Sequence, residues 1–229
     1  MYEYVSKKEY GPVRLELEEI IRKVHHYMRK NFDLTFQHKL IGSGSRHLVT
    51  CVKNGNKGFD FDYNFIIPPP EGDWCWDAEV IKEQFVEALK FALKGTNYST
   101  PKDSTSAITI KVVDRTNSKI RHSCDFAIIY YPDDDNFNGY FYLKNWKQMN
   151  RYSFEPRNSS SNIDEKLDEI LSYTNGWNMI RTEYLKLKNA NKDENKRSYV
   201  LYLEAVNNVY NQLQQNKNAY ALDLASLIR

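Results

Sequence analysis

The sequence predicts an α+β fold: a mixed, mostly antiparallel β-sheet with flanking helices, followed by a C-terminal helical lobe. Three observations lead there. Val13–Asn31 and Ala78–Lys94 carry apolar residues at the 3-to-4 spacing of amphipathic helices. Between and after them lie short β-branched and aromatic runs bounded by Gly, Pro, Asn and Asp, the pattern of strands and turns. From Asn162 onward only helical spacing remains. These shifts divide the chain into a core of residues 1–155 and a helical lobe of residues 156–229.

A chain of 229 residues can bury a proper core. Its 32 basic and 30 acidic residues leave a net charge of +2, so no global field points to nucleic acid or to a membrane. Cys51, Cys75 and Cys124 are odd in number and lack C-x-x-C spacing, which argues against a disulfide framework and a zinc site. With no N-terminal signal and no run of 18 apolar residues, the expected setting is the cytoplasm, with no membrane partner.

Taken in order, Gly11-Pro12 punctuates before the first helix, whose Leu17, Ile20, Ile21, Val24 and Met28 face the sheet. His25 and His26 point about 100° apart on that helix and are read as surface residues. Leu34–Leu40 is the first strand. Ile41–Ile67 then holds a Gly-Ser turn, a strand, a turn at Asn54–Gly58 and a second strand, read as a hairpin. Pro68-Pro69-Pro70 ends the pairing, and Trp74 and Trp76 cap the edge of the core. Asp77 caps the second helix, which Gly95 closes. Ser99–Ser106 is a loop, Ala107–Val113 and Ile120–Tyr131 form a β-hairpin, Gly139–Trp146 is a short strand, and Arg151–Ser161 is a polar loop. The acids of Pro132–Asn136 read as a solvated loop. The lobe has helices at Ile163–Leu171, Trp177–Lys188, Tyr199–Gln215 and Tyr220–Ile228, and the basic run Lys186–Lys192 complements a helix C-terminus.

The chemistry is concentrated in IGSGSRHLVTCVKNGNKGFDFDYNFII, residues 41–67. Strand alternation puts Asp60 and Asp62 on one face, about 7 Å apart along the backbone, with Phe61 on the other. Two such carboxylates suit Mg²⁺ or another hard divalent cation together with substrate phosphates. Small residues in the turn let backbone N–H groups and a hydroxyl approach an anion. Asp125 interrupts the apolar run Cys124–Tyr131, where an unpaired carboxylate is costly unless a cation offsets it. A solvated strand face is the plain alternative for an isolated D-x-D.

Gly42-Ser43 or Gly44-Ser45, Asp60-Phe61-Asp62 and Asp125 resemble the G-S, D-x-D and third-Asp motifs of the DNA polymerase β-like nucleotidyltransferase superfamily. Within it, GSGSRHLV followed by FDFDYNFIIP is most similar to the cyclic GMP-AMP synthase and oligoadenylate synthetase-like branch, bacterial members included. The motifs cover residues 35 to 131. The resemblance implies that Asp60, Asp62 and Asp125 hold two Mg²⁺ or Mn²⁺ ions. It also implies that Gly42, Ser43, Gly44, Ser45 and Arg46 serve the phosphates of an NTP, with either Gly-Ser pair as the grip. The implied activity moves a nucleoside monophosphate to a hydroxyl and releases pyrophosphate. The acceptor is an NTP, a protein, an RNA or a small molecule; a non-catalytic nucleotide-binding module with the same fold is the alternative.

Overall fold

The computed structural model describes residues 1–72, 74–134, 136–158, 163–193 and 195–227. By internal contacts the chain divides into Glu3–Ser159 and a second unit of Met1–Tyr2 with Ser160–Arg229. The elements run β1 (Tyr2–Tyr4), α1 (Lys7–Phe32), β2 (Gln37–Ile41), α2 (Gly42–Ser45), β3 (Thr50–Val52), β4 (Lys57–Ile66) and α3 (Ala78–Ala92). They continue as β5 (Lys102–Asp103), β6 (Ile108–Asp114), β7 (Lys119–Tyr130), β8 (Gly139–Trp146) and β9 (Arg151–Asn158). Helices α4 (Ile163–Leu171), α5 (Gly176–Ala190) and α6 (Ser198–Leu227) follow. Among the described residues no helix is long and apolar enough to cross a membrane.

The main sheet has the order β2-β4-β7-β6-β5, and β8 joins β7 beyond the end of β6 and carries β9. Every pairing is antiparallel except β4 with β7. Helices α1 and α3 cover one face. Leu17, Ile20, Ile21, Val24 and Met28 of α1 and Phe85, Ala88 and Leu89 of α3 are buried against Phe61, Tyr63, Phe65, Cys124 and Phe126. Phe65 stacks between Phe85 and Phe126, with ring centroids 5.3 and 4.8 Å away. All of these apolar side chains alternate to one face, so Asp60, Asp62 and Asp125 are left on the other.

Several expectations need correction. The first helix begins at Lys7, not after Pro12: the Ser6 hydroxyl accepts from the Glu9 amide, and buried Tyr10 packs edge-on to Phe61 at 6.1 Å. That anchoring outweighs the one hydrogen bond lost at Pro12. Residues 50–66 are not a hairpin, because both edges of β4 are taken by β2 and β7, and β3 pairs with β1 instead. Arg151–Asn158 is a strand, not a loop; β9 pairs only with β8, and an edge strand tolerates Pro156. His25 is half-buried, stacked on Phe36 at 3.8 Å and hydrogen-bonded to His38 at 3.1 Å.

Trp76 packs on the core with Nε1 donating to the Pro68 carbonyl at 2.9 Å, while Trp74 is exposed. In the acidic loop the Asp134 carboxylate accepts from the Asn136 amide at 2.9 Å, and Asp135 lies outside the described residues. In the second unit, Ile170, Ile180, Tyr184, Leu201, Ala205, Val206 and Val209 are buried. Its last helix runs unbroken to Leu227, where two helices were expected; residues 216–219 contain no Gly or Pro to break it.

Candidate active site

Register brings the acids together. Asp62 is the direct neighbour of Asp125 across the parallel β4–β7 pair, and Asp60 sits one side-chain step away on the same face, opposite Ser123. The row continues on both sides. Ile41 lies opposite Asp62 on β2, and Thr109 lies opposite Asp125 on β6. Because Ile41 is the last residue of β2, the Gly-Ser turn that follows it lands directly on Asp62.

Gly42 shows how close that approach is. Its φ is +65°, and a Cβ placed on it would stand 2.6 Å from Asp62 Oδ2. Only glycine combines this left-handed backbone with the missing side chain. Replacing Gly42 with Ala should cost about 1–2 kcal/mol from the backbone alone and push the Asp62 carboxylate aside. Thermal melts and nucleotide-binding titrations of Gly42→Ala check this; unchanged stability and binding would contradict it.

The turn residues divide their duties. Gly44 is buried, and a Cβ there would meet Phe61 Cδ1 at 2.8 Å, so this glycine serves packing. Ser45 Oγ and the Arg46 guanidinium both donate to the Gly42 carbonyl, each at 3.0 Å, and so brace the turn from within. The Ser43 carbonyl accepts from the Leu48 amide at 2.9 Å, while its hydroxyl makes no hydrogen bond among the described residues. Of the two serines, Ser45 is the one whose hydroxyl is committed to bracing the turn.

Asp62 is the most perturbed acid here. Burial pushes its carboxyl up to about 7, and the charges of Asp60 and Asp125 add to the rise. The Asp62 carboxylate makes no hydrogen bond or ion pair among the described residues. The same three carboxylates add to burial in holding the Cys124 thiol, on the far face of the sheet, well above its usual range. Asp125 is held differently: the Thr109 hydroxyl donates to its Oδ1, on the side away from Asp62. Sequence reasoning missed Thr109 because nothing in the run ITIKVVD marks one threonine as a partner; only the β6–β7 register does.

As the side chains stand, no group of three His, Cys, Asp or Glu is gathered into a ready cation site among the described residues. The donor set nonetheless fits a hard cation: three carboxylates with oxygen ligands only, on one rigid face, one of them half-buried and raised in pKa by its neighbours.

No protein-family model matches the chain, and no curated protein matches it by sequence. Solved structures do share its fold. The Vibrio cholerae DncV cyclic AMP-GMP synthase in complex with the linear intermediate 5′ pppA(3′,5′)pG aligns with a TM-score of 0.55 at 10% identity, over 80% of this chain and 62% of that one. The 3′-deoxy ATP-bound form of the same V. cholerae protein gives 0.54 at 13% identity, over 90% and 53%. Escherichia coli MS115-1 CdnC with ATP gives 0.50 at 13% identity, over 90% and 62%. The chain thus shares the mixed α+β fold of these bacterial proteins, of which the V. cholerae DncV is described as a cyclic AMP-GMP synthase and a prokaryotic cGAS homolog. The chain spans between 53% and 62% of the length of these three neighbours.

Proposed function

We propose that this chain is a metal-dependent nucleotidyltransferase that moves a nucleoside monophosphate from an NTP to a hydroxyl, most directly in building an oligonucleotide second messenger. The observation that carries the reading is the row of carboxylates: half-buried Asp62 lies beside Asp125 and one step from Asp60, its carboxyl raised to about 7 by burial and by their charges, with no hydrogen-bond donor to its carboxylate among the described residues. A purely structural face would not retain that arrangement without compensation.

Asp60, Asp62 and Asp125 would hold the divalent cations, which supply charge neutralisation at the reacting phosphate and the departing pyrophosphate. Ser43 offers its hydroxyl to the terminal phosphates, and bare Gly42 lets them come close to Asp62. Asp125, released from Thr109, accepts the proton of the attacking hydroxyl. The hydroxyl oxygen bonds to the α-phosphorus as the bond from that phosphorus to the pyrophosphate oxygen breaks. ATP accompanies CdnC, and the linear intermediate accompanies DncV, in the neighbouring structures; those ligands support NTPs as donor and acceptor here.

The test is incubation of the purified chain with each labelled NTP and Mg²⁺ or Mn²⁺, alone and with cell extract, beside an Asp60→Ala/Asp62→Ala control. Oligonucleotide product and pyrophosphate from NTP alone, lost in the control, are expected. Label moving only onto an extract component would redirect the reading to modification of a protein, an RNA or a small molecule. Metal-dependent NTP binding without turnover would leave the non-catalytic module.

A further inference from the structure

The outer face of the β8–β9 hairpin plays no part in the chemistry above, yet it shares a face with the carboxylates. Register shows this. Ile129 stands opposite Tyr142 in the β7–β8 pair, and Ile129 is four residues from Asp125 on one strand, hence on the same face. Tyr140, Tyr142, Lys144 and Trp146 therefore extend the carboxylate face along β8, and exposed Tyr131 continues it along the chain beyond β7. Their partners on β9 are Arg157, Glu155, Ser153 and Arg151. The alternate residues, Leu143 and Phe154 among them, turn to the core.

Rings and cations interleave on this face. The Arg157 guanidinium lies 4.3 Å from the Tyr142 ring centroid, and it donates to the Tyr140 hydroxyl at 3.5 Å. Lys144 Nζ lies 3.2 Å from the Trp146 ring centroid, and Arg151 lies 5.9 Å from it. Tyr131 meets Tyr140 edge-on at 6.1 Å. Glu155, the acid in this row, accepts from Ser153 Oγ at 2.6 Å, and that serine accepts from Trp146 Nε1 at 2.8 Å. Cation–π pairing of this kind steadies an exposed hairpin by about 0.5–1 kcal/mol per pair.

The alternation narrows the ligand. Aromatic side chains two residues apart are separated by about 6.6 Å along a strand, a step that successive bases of an extended single strand can match. Planar rings receive bases, and interleaved cations receive the phosphates between them. A duplex hides its base faces, and a neutral sugar offers no phosphates for the interleaved cations.

We propose that the β8–β9 face binds a short single-stranded oligonucleotide, its bases on Tyr140, Tyr142 and Trp146 and its phosphates on Lys144, Arg151 and Arg157. The purpose of the bound strand rests on the nucleotidyl-transfer reading: it is the acceptor or product lying on the face that carries the carboxylates. Binding itself needs no turnover, so the two readings can fail separately.

The experiment titrates the full chain with fluorescein-labelled hexameric oligo(A) and oligo(U) in EDTA, followed by anisotropy and by tryptophan quenching. Both strands should bind, and affinity should fall as salt rises. Trp146→Ala and Tyr142→Ala should each weaken binding about tenfold. Arg157→Gln should reduce the slope of log affinity on log salt by about 0.7. Asp60→Ala/Asp62→Ala should bind the strands at least as well as wild type while losing any turnover. The proposal is overturned if the hexamers do not bind, if the correspondingly labelled RNA duplex binds equally well, or if folded Tyr142→Ala/Trp146→Ala binds like wild type. Circular dichroism establishes folding of the variants. Absence of turnover with hexamer binding intact would refute the enzyme reading and leave this one standing.

Discussion

Asp62→Asn is expected to abolish nucleotidyl transfer, by roughly a thousandfold or more, and at the same time to stabilise the metal-free protein at pH 8. The second effect follows from linkage. Asp62 titrates at its ordinary 3.8 in the unfolded chain and at about 7 in the folded one. Below pH 3.8 both states are protonated and the site carries no penalty. As pH rises, the unfolded chain ionises first, and the folded form becomes progressively disfavoured until its own carboxyl ionises near 7; above that the penalty is complete. Each tenfold difference in proton affinity is worth about 1.36 kcal/mol, so the penalty is on the order of a few kcal/mol. Asn removes the charge and keeps the shape. Denaturant melts in EDTA at pH 4, 6 and 8 should therefore show a gain that grows with pH. Mg²⁺ should stabilise wild type at pH 8 far more than the variant. Retained turnover would refute the assignment of Asp62, and a variant less stable than wild type at pH 8 would refute the account of its burial.

Gly58→Ala should be among the most damaging single-methyl changes in the larger unit. A Cβ at Gly58 would stand 1.7 Å from the Arg121 carbonyl oxygen and 2.4 Å from its carbon, and 2.8 Å from the Ile120 carbonyl oxygen. These are backbone atoms of β7, the parallel partner of β4, and they cannot swing away as a side chain can. The start of β4 must lift off, which endangers the pairs Lys57↔Ile120 and Phe59↔His122 just before Asp60. A loss of about 3 kcal/mol is expected, the upper end for overpacking, together with reduced activity. Gly11→Ala is the control. Nothing lies within 4 Å of its Cβ position inside α1, so a gain of about 0.5–1 kcal/mol is expected there. Melting both variants checks the contrast, and equal stabilities would contradict it.

Much of the larger unit was legible because its sheet buries one face and leaves the other to solvent. Strict alternation in Phe59–Phe65 made the common side of Asp60 and Asp62 readable before any coordinates, whereas Asp125 stands in a nearly continuous apolar run and its side follows from the β4–β7 register. Partners were less legible, since pairing depends on which edges remain open. Nothing within Thr50–Ile66 says that β2 and β7 occupy both sides of β4, so a local hairpin was the natural reading. Pro156 and the charges of Arg151–Asn158 concealed β9, because an edge strand obeys weaker rules than a central one. The interactions of Thr109 with Asp125 and of Ser45 with the Gly42 carbonyl were invisible for a related reason. Both turn on hydroxyl directions that sequence spacing does not encode.

The parallel β4–β7 pair also sets a timetable. Asp62 and Asp125 are 63 positions apart (125 − 62) and meet across the parallel β4–β7 ladder of the main sheet. Such long-range pairings form slowly, since a large loop must close before any contact rewards it. A chain that has emerged from the ribosome only as far as β4 keeps Asp60 and Asp62 as ordinary hydrated acids. Their mutual repulsion with Asp125 is met only when β7 docks, after much of the apolar surface of α1 and α3 is available to drive the closure.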